Sequence, residues 1–144
     1  LERARRRAYH AADAAPLRAE ALAAAPPDAL ARLRLRLHPS VALVASAHPV
    51  VSIRADVMGP RRGGVDMGRA ETAVVARPGD SVLTEVAPPP LAAFLAGIAV
   101  GAPFGAAAEA AGARHPAFDP GDAVAALFRL GLLAGLEMPE EAAR

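Results

Sequence analysis

The sequence predicts an α+β fold in which a small antiparallel sheet packs against three helices, preceded by a short helical segment. Arginine and leucine alternate strictly from Arg32 to Leu37, and this period of two is typical of a half-buried strand. Two further apolar runs, Thr72–Arg77 and Ser81–Val86, flank the turn signal Pro78-Gly79. Three helical segments follow them. This order of elements is that of a winged helix.

The first 31 residues have a helical composition but little apolar stripe of their own. A helix is predicted from Leu1 to about Asp13, with Pro16 as its breaker, and a short alanine-rich helix from Leu17 to Ala25. Because neither piece can bury an apolar face alone, we expect residues 1–31 to be the end of a helical N-terminal domain that starts upstream.

The strand at Arg32–Leu37 opens the predicted winged-helix-like domain, residues 32–136. His38-Pro39-Ser40 interrupts the strand, and Val41–Val44 is a candidate continuation of it. Residues 49–57 fit either a strand or a helix that begins at Pro49, and the helix is slightly favoured. Residues 58–69 are rich in Gly and Arg and are predicted to form a mobile loop.

The first two of the three C-terminal helices have recognisable limits. One begins at Pro88–Pro90 and ends at Gly101. Its apolar residues recur at helical spacing and predict one buried face: Leu91, Phe94, Leu95 and Ile98. The next runs from about Gly105 to Ala111, with Gly112 as its C-terminal stop.

The third helix has the clearest start in the chain. Asp119 is predicted as its N-cap and Pro120 as its first residue. Its predicted buried face consists of Val124, Leu127 and Phe128. Gly131 or Gly135 is expected to end it, and residues 137–144 to form a frayed tail.

Composition excludes several classes of function. The net charge is +1, which argues against a dominant nucleic-acid-binding field, and all cations are arginine. The absence of cysteine excludes disulfides, thiolate metal sites and cysteine nucleophiles. There is no apolar run of about 18 residues and no secretory signal, so we expect a cytoplasmic protein without a membrane span.

No motif predicts a catalytic or metal site. His10, His38, His48 and His115 lack the spacing of zinc-binding helices, and we interpret them as turn or surface residues. No serine stands in a Gly-x-Ser-x-Gly setting. We therefore predict a binding module that is not an enzyme and holds no cofactor of its own.

Two resemblances add to this interpretation. From Thr72 onwards, the hairpin, the Phe94-Leu95 helix, the alanine-rich helix and the leucine-rich helix resemble PqqD-type peptide-recognition domains, which are winged-helix modules. Nearly the whole chain resembles the HvfC/MbnC-like family. The stretches that carry this second resemblance are Leu1-Glu2, Ala8–Ala14, Leu33–Ser40, Pro49–Ile53, Val75–Gly79, Ala93–Leu95 and Phe118-Asp119.

The second resemblance implies a partner subunit of an MbnB-type multinuclear non-haem iron oxidase that modifies cysteines in a ribosomally made precursor peptide. The iron is then expected in the partner enzyme. The family's N-terminal domain has been labelled DNA-binding, but the resemblance places that domain before this sequence. Arg54 occupies a position where family members usually carry Trp.

The resemblance to PqqD-type domains implies a peptide-binding edge. In such domains the strand before the first of the three helices accepts the leader peptide as an additional strand. The predicted peptide site comprises Ser81, Val82, Leu83, Thr84, Glu85 and Val86 on the strand, with Val124, Leu127 and Phe128 on the third helix. The alternative, weighed evenly, is an ordinary edge strand guarded by Glu85 and Pro88.

Arginines on the first strand form a second candidate surface. Arg32, Arg34 and Arg36 would project from one sheet face, and with Arg54 we predict them as the interface with the partner enzyme. The alternative is a solvated face, which alternation alone produces. Two other functions remain open: a DNA-binding transcriptional regulator, for which the last helix offers only Arg129, and a purely structural interaction domain.

Overall fold

The computed structural model describes residues 1–60 and 63–138. Its helices are α1 (Glu2–Tyr9), α2 (Ala19–Ala23), α3 (Val50–Met58), α4 (Pro89–Ala99), α5 (Phe104–Arg114) and α6 (Pro120–Arg129). Its strands are β1 (Arg34–Leu37), β2 (Ala42–Ser46), β3 (Glu71–Ala76), β4 (Leu83–Ala87) and β5 (Leu133–Glu137). The predicted α+β, winged-helix-like fold with a leading helical segment is confirmed.

The strands form two antiparallel sheets. The larger has the order β2–β3–β4, and the smaller pairs β1 with β5. The central strand β3 is buried on both faces. Val74 and Ala76 belong to the main core, whereas Ala73 and Val75 pack in a second cluster with Ala8 of α1. The larger sheet therefore lies between the N-terminal helix and the C-terminal helices.

The main core is built around phenylalanine in a chain that has few aromatic residues. The Phe94 ring on α4 lies 5.7 Å from the ring of Phe104 and 5.5 Å from that of Phe118, between centroids. Leu95 and Leu127 are fully buried beside them. Three of the chain's four phenylalanines thus pack together. Through them α4 contacts both α5 and the segment that leads into α6.

The limits of α4 and α6 agree with the sequence analysis. Asp119 is the N-cap of α6, and its carboxylate accepts a hydrogen bond from the backbone N–H of Asp122 (2.9 Å). Gly101 and Gly131, the residues that follow the C-caps of α4 and α6, both have positive φ. The helix favoured for residues 49–57 is also present, as α3.

Five local predictions were wrong. Helix α1 ends at Tyr9, four residues before the predicted end near Asp13. Arg32 lies in a short 3₁₀ turn, so the first strand begins only at Arg34. The segment after Ser40 does not continue this strand; it forms β2 in the other sheet. Helix α5 runs through Gly112 to Arg114, because Gly112 does not adopt the left-handed conformation that ends a helix. The largest error concerns β5 (Leu133–Glu137), which pairs with β1 although no strand was predicted there. Residues 139–144, most of the predicted frayed tail, lie outside the described residues.

A buried carboxylate holds the start of α3. One oxygen of Glu71 accepts hydrogen bonds from the backbone N–H groups of Val51 (3.0 Å) and Ser52 (3.1 Å), and the other accepts one from the Ser52 hydroxyl. Burial raises the pKa of Glu71, but the Ser52 and Val51 hydrogen bonds and the charge of Arg69 lower it further than burial raises it. The net pKa of Glu71 therefore lies below its ordinary value.

This arrangement predicts a stability that depends on pH. We expect Glu71→Gln to lower the free energy of unfolding by about 1–3 kcal/mol at pH 7, because the buried donors lose a charged acceptor. The native pKa of Glu71 is depressed, so its contribution is complete above the unfolded-state pKa of about 4.3 and is lost as pH falls through the native pKa. Urea unfolding followed by circular dichroism measures the loss in free energy of unfolding caused by Glu71→Gln at pH 7 and at pH 3. An equal loss at the two pH values would contradict the charge-based explanation.

Candidate functional site

The strand β4 forms one edge of the larger sheet. Its inner side pairs with β3 from Leu83 to Ala87, and no other described strand pairs with its outer side. An unpaired edge presents backbone N–H and C=O groups to which a further strand can add.

The direction of these backbone groups follows from the neighbouring strands. The N–H of Arg77, directly after β3, points towards the β2 side, because it donates to the Ser40 hydroxyl (2.7 Å). Backbone groups of successive residues in a strand point to opposite sides, and neither register with β3 contains a bulge. The same alternation applies along β3 and along its partner β4. It directs the N–H of Glu85 towards β3, and the N–H groups of Thr84 and Val86 towards the open edge.

Pro88 ends this edge. It is the next outward position after Val86, and proline has no N–H. The outward N–H groups of Thr84 and Val86 are two residues apart, which corresponds to roughly 7 Å along the strand. The edge therefore offers a short, defined row of hydrogen-bonding groups.

A groove of 360 Å³ lies between this edge and α6. It is lined on the strand side by Glu85, Val86, Pro88, Pro90 and Leu91, and on the helix side by Ala117, Phe118, Asp119, Asp122, Ala123, Ala126, Arg129 and Leu130. Val86 is 39% exposed. Small residues, Ala123 and Ala126, stand at the centre of the helix side and leave space for side chains of a bound molecule.

Charged residues surround the groove. Arg129 on α6 reaches Glu85 on β4, with 3.6 Å between guanidinium nitrogen and carboxylate oxygen. Both side chains are largely exposed, so the pair contributes at most about 1 kcal/mol and can open at little cost. Asp119 and Asp122 add two further carboxylates on the helix side.

The three residues that the sequence analysis placed on the helix side of the site lie elsewhere. Leu127 is fully buried in the core. Val124 and Phe128 line a different, apolar groove, where they face Leu22 and Leu30 of the N-terminal segment. The helix residues that do line the groove beside β4 are on another face of α6.

The strand residues of the predicted site are partly brought together with the groove. Glu85 and Val86 line it. Thr84 is not a lining residue, but its N–H points outward at the same edge. Ser81 and Val82 precede β4, and Val82 packs in the cluster of α1. The Leu83 side chain packs against the main core.

The predicted arginine surface is divided. Arg34 and Arg36 are exposed on β1, and a guanidinium nitrogen of Arg34 donates to the Gly101 carbonyl. Arg32 lies in the preceding turn and Arg54 on α3, where it pairs with Glu2 of α1 at 3.3 Å. The four arginines therefore do not form one continuous basic surface.

The histidines are not gathered into a site. In the described ranges 1–60 and 63–138, no three His, Asp or Glu side chains converge as metal ligands would. The interpretation of His38 as a turn or surface residue was wrong in one respect, since this residue is 2% exposed. Its Nε2 contacts the Ala14 carbonyl (2.9 Å), and its Nδ1 contacts the hydroxyl (2.7 Å) and backbone N–H (3.2 Å) of Ser40.

These contacts assign one tautomer to His38. A carbonyl can only accept, so Nε2 carries the proton, and Nδ1 accepts from both donors of Ser40. The Ser40 hydroxyl oxygen then accepts from the N–H of Arg77. The histidine thereby joins the segment after α1 to the end of β3.

Arg77 makes a second connection between the same segments. Its guanidinium donates to the carbonyls of Ala8 (3.1 Å) and Ala11 (2.8 Å) and to the carboxylate of Asp13 (2.8 Å). A cation at the end of α1 also interacts favourably with the helix dipole. We refer to Arg77, His38 and Ser40 together as the N-terminal clamp, because they fasten the first 14 residues to the sheet.

Sequence reasoning missed the helix side of the groove, although a signal was present. Counted from the N-cap, Asp119, Asp122, Ala126 and Arg129 recur at helical spacing and define one polar or small-residue face. The apolar face of α6, which the sequence analysis favours, consists of residues that contact the core and the N-terminal segment.

Comparisons with protein-family models, with curated proteins and with solved structures found no match to this chain. Among the described residues, no helix is long and apolar enough to cross a membrane.

Proposed function

We propose that this chain is a non-catalytic subunit that binds the leader of a ribosomally made precursor peptide and presents it to a partner enzyme. The observation that carries the proposal is the outward direction of the Thr84 and Val86 N–H groups beside an open groove. An extended peptide would pair with these groups as a fourth strand, and its side chains would enter the groove.

Strand addition suits this edge for two reasons. Main-chain hydrogen bonds provide affinity for many sequences, while adjacent pockets provide specificity. The Glu85 side chain lies on the same sheet face as that of Val74, the face towards α6 and the groove. In an added strand, the side chain directly opposite Glu85 would therefore point to the same side. The exposed Val86 provides apolar surface that a bound chain would cover.

The identity of the partner is inferred from the resemblance to the HvfC/MbnC-like family. On that basis the partner is an MbnB-type iron oxidase, and the iron and the oxidation of cysteine belong to that enzyme. The DNA flanking the gene tests this point. An iron-oxidase gene with a short cysteine-bearing reading frame supports it, whereas a divergent promoter alone favours a transcriptional regulator.

Peptide binding itself can be tested without knowing the natural leader. The immobilised chain is used to select from an mRNA-displayed library of random twelve-residue peptides. We expect enriched peptides that shift the amide resonances of Thr84 and Val86 in a ¹⁵N spectrum and protect those two amides from exchange. Failure to enrich any peptide, or shifts confined to β1, would overturn the proposed site.

A further inference from the structure

The groove and the chain have opposite charge. Among the residues that line the groove, Glu85, Asp119 and Asp122 carry three carboxylates against the single guanidinium of Arg129, an excess of two negative charges. The chain as a whole has a net charge of +1. The negative groove is therefore a local feature, and it surrounds the edge at which a strand would add.

The geometry of the edge determines which side chains of a bound strand would meet these charges. Glu85 shares its sheet face with Val74 and the main core, and it extends towards Arg129 of α6. Thr84 lies on the opposite face, where its hydroxyl accepts a hydrogen bond from Arg5 of α1. Every second side chain of an added strand would consequently face α6, and the intervening ones would face the α1 side.

We propose that the groove selects peptides carrying a lysine or arginine at one of the positions that face α6, with Asp122 and Glu85 as the specificity-determining residues. This inference rests on the proposed function, since it concerns the ligand of the same site. Asp119 already accepts the capping hydrogen bond, and Glu85 is shared with Arg129. Asp122 is exposed and donates only its backbone N–H to that cap. Within residues 1–60 and 63–138 its carboxylate has no hydrogen-bond or ion-pair partner, so we assign it the incoming cation.

The peptides enriched from the random library provide the first readout. We expect lysine and arginine to exceed aspartate and glutamate among them, with a two-residue period. For one enriched peptide, we expect Asp122→Asn to weaken binding about two- to fivefold, as for a partly exposed ion pair. Replacing the peptide's basic residue by methionine should cause a similar loss that is not additive with Asp122→Asn.

Glu109→Gln is the matched control, because it removes one exposed carboxylate from α5, away from the groove. It should leave the affinity unchanged, and added salt should weaken binding to the parent chain more than to Asp122→Asn. Enriched peptides without an excess of basic residues, or additive losses in the double change, overturn the charge selection while leaving strand addition intact. Absence of any enriched peptide overturns both proposals.

Discussion

Replacement of Thr84 by proline is expected to abolish peptide capture in a chain that remains folded. The Thr84 N–H points out of the sheet, so its loss removes no hydrogen bond to β3. A bound strand would lose one backbone hydrogen bond and would meet the proline ring along the edge. We expect the affinity of a library-selected peptide to fall more than about tenfold, measured by isothermal titration calorimetry.

Two control substitutions distinguish the loss of the Thr84 N–H from the loss of its side chain and from a loss of folding. Thr84→Ala removes the hydroxyl that accepts from Arg5 but keeps the N–H, so peptide affinity should stay within about twofold. Glu85→Pro removes an N–H that faces β3, and circular dichroism should show loss of native structure. If folded Thr84→Pro protein binds the peptide as the parent chain does, strand addition at β4 is wrong, and the exposed Arg34 and Arg36 become the next candidate surface.

The largest change in stability is expected for Gly131→Ala. Gly131 follows the C-cap of α6 with φ +64°, and its N–H and that of Leu132 bond back to the carbonyls of Phe128 (3.1 Å) and Leu127 (2.9 Å). A Cβ at this position would lie 2.6 Å from the Cβ of Pro78. The left-handed backbone costs about 1–2 kcal/mol for alanine, and the collision adds about 1–3 kcal/mol. We expect a total loss of about 2–5 kcal/mol in the free energy of unfolding, measured by urea unfolding.

Gly101→Ala is the matched control for this prediction. Gly101 ends α4 in the same motif, with φ +81°, but a Cβ there would meet only a guanidinium nitrogen of Arg34 at 3.6 Å. Its substitution should therefore cost only the backbone term, about 1–2 kcal/mol. Equal losses for the two variants would show that the turn at Pro78 moves aside, and that it does not hold the end of α6 in place.

Local signals predicted most of the elements. Asp119 with Pro120 marked the start of α6, Gly101 marked the end of α4, and Pro78-Gly79 marked the turn between β3 and β4. Each of these signals acts within a few residues, through caps and permitted backbone angles. They need no knowledge of the rest of the chain.

The errors arose where distant segments decide the structure. Strand β5 exists because it pairs with β1, about a hundred residues earlier, and its sequence Leu-Ala-Gly-Leu-Glu has no strong strand preference. The sequence analysis places Val124 and Phe128 on a buried face, but they face the N-terminal segment around Leu22, for which little apolar surface is predicted. The polar face of α6 points away from the N-terminal segment and lines the groove beside β4.

The N-terminal clamp has a consequence for which parts of this molecule can be changed independently. Its residues, Arg77, His38 and Ser40, hold the segment from Ala8 to Ala14 against the sheet. None of the three lines the groove beside β4. The attachment of the first helix and the lining of the groove therefore depend on different segments of the chain. Substitutions of Asp122, Ala126 or Arg129 should alter the groove and leave the first helix in place.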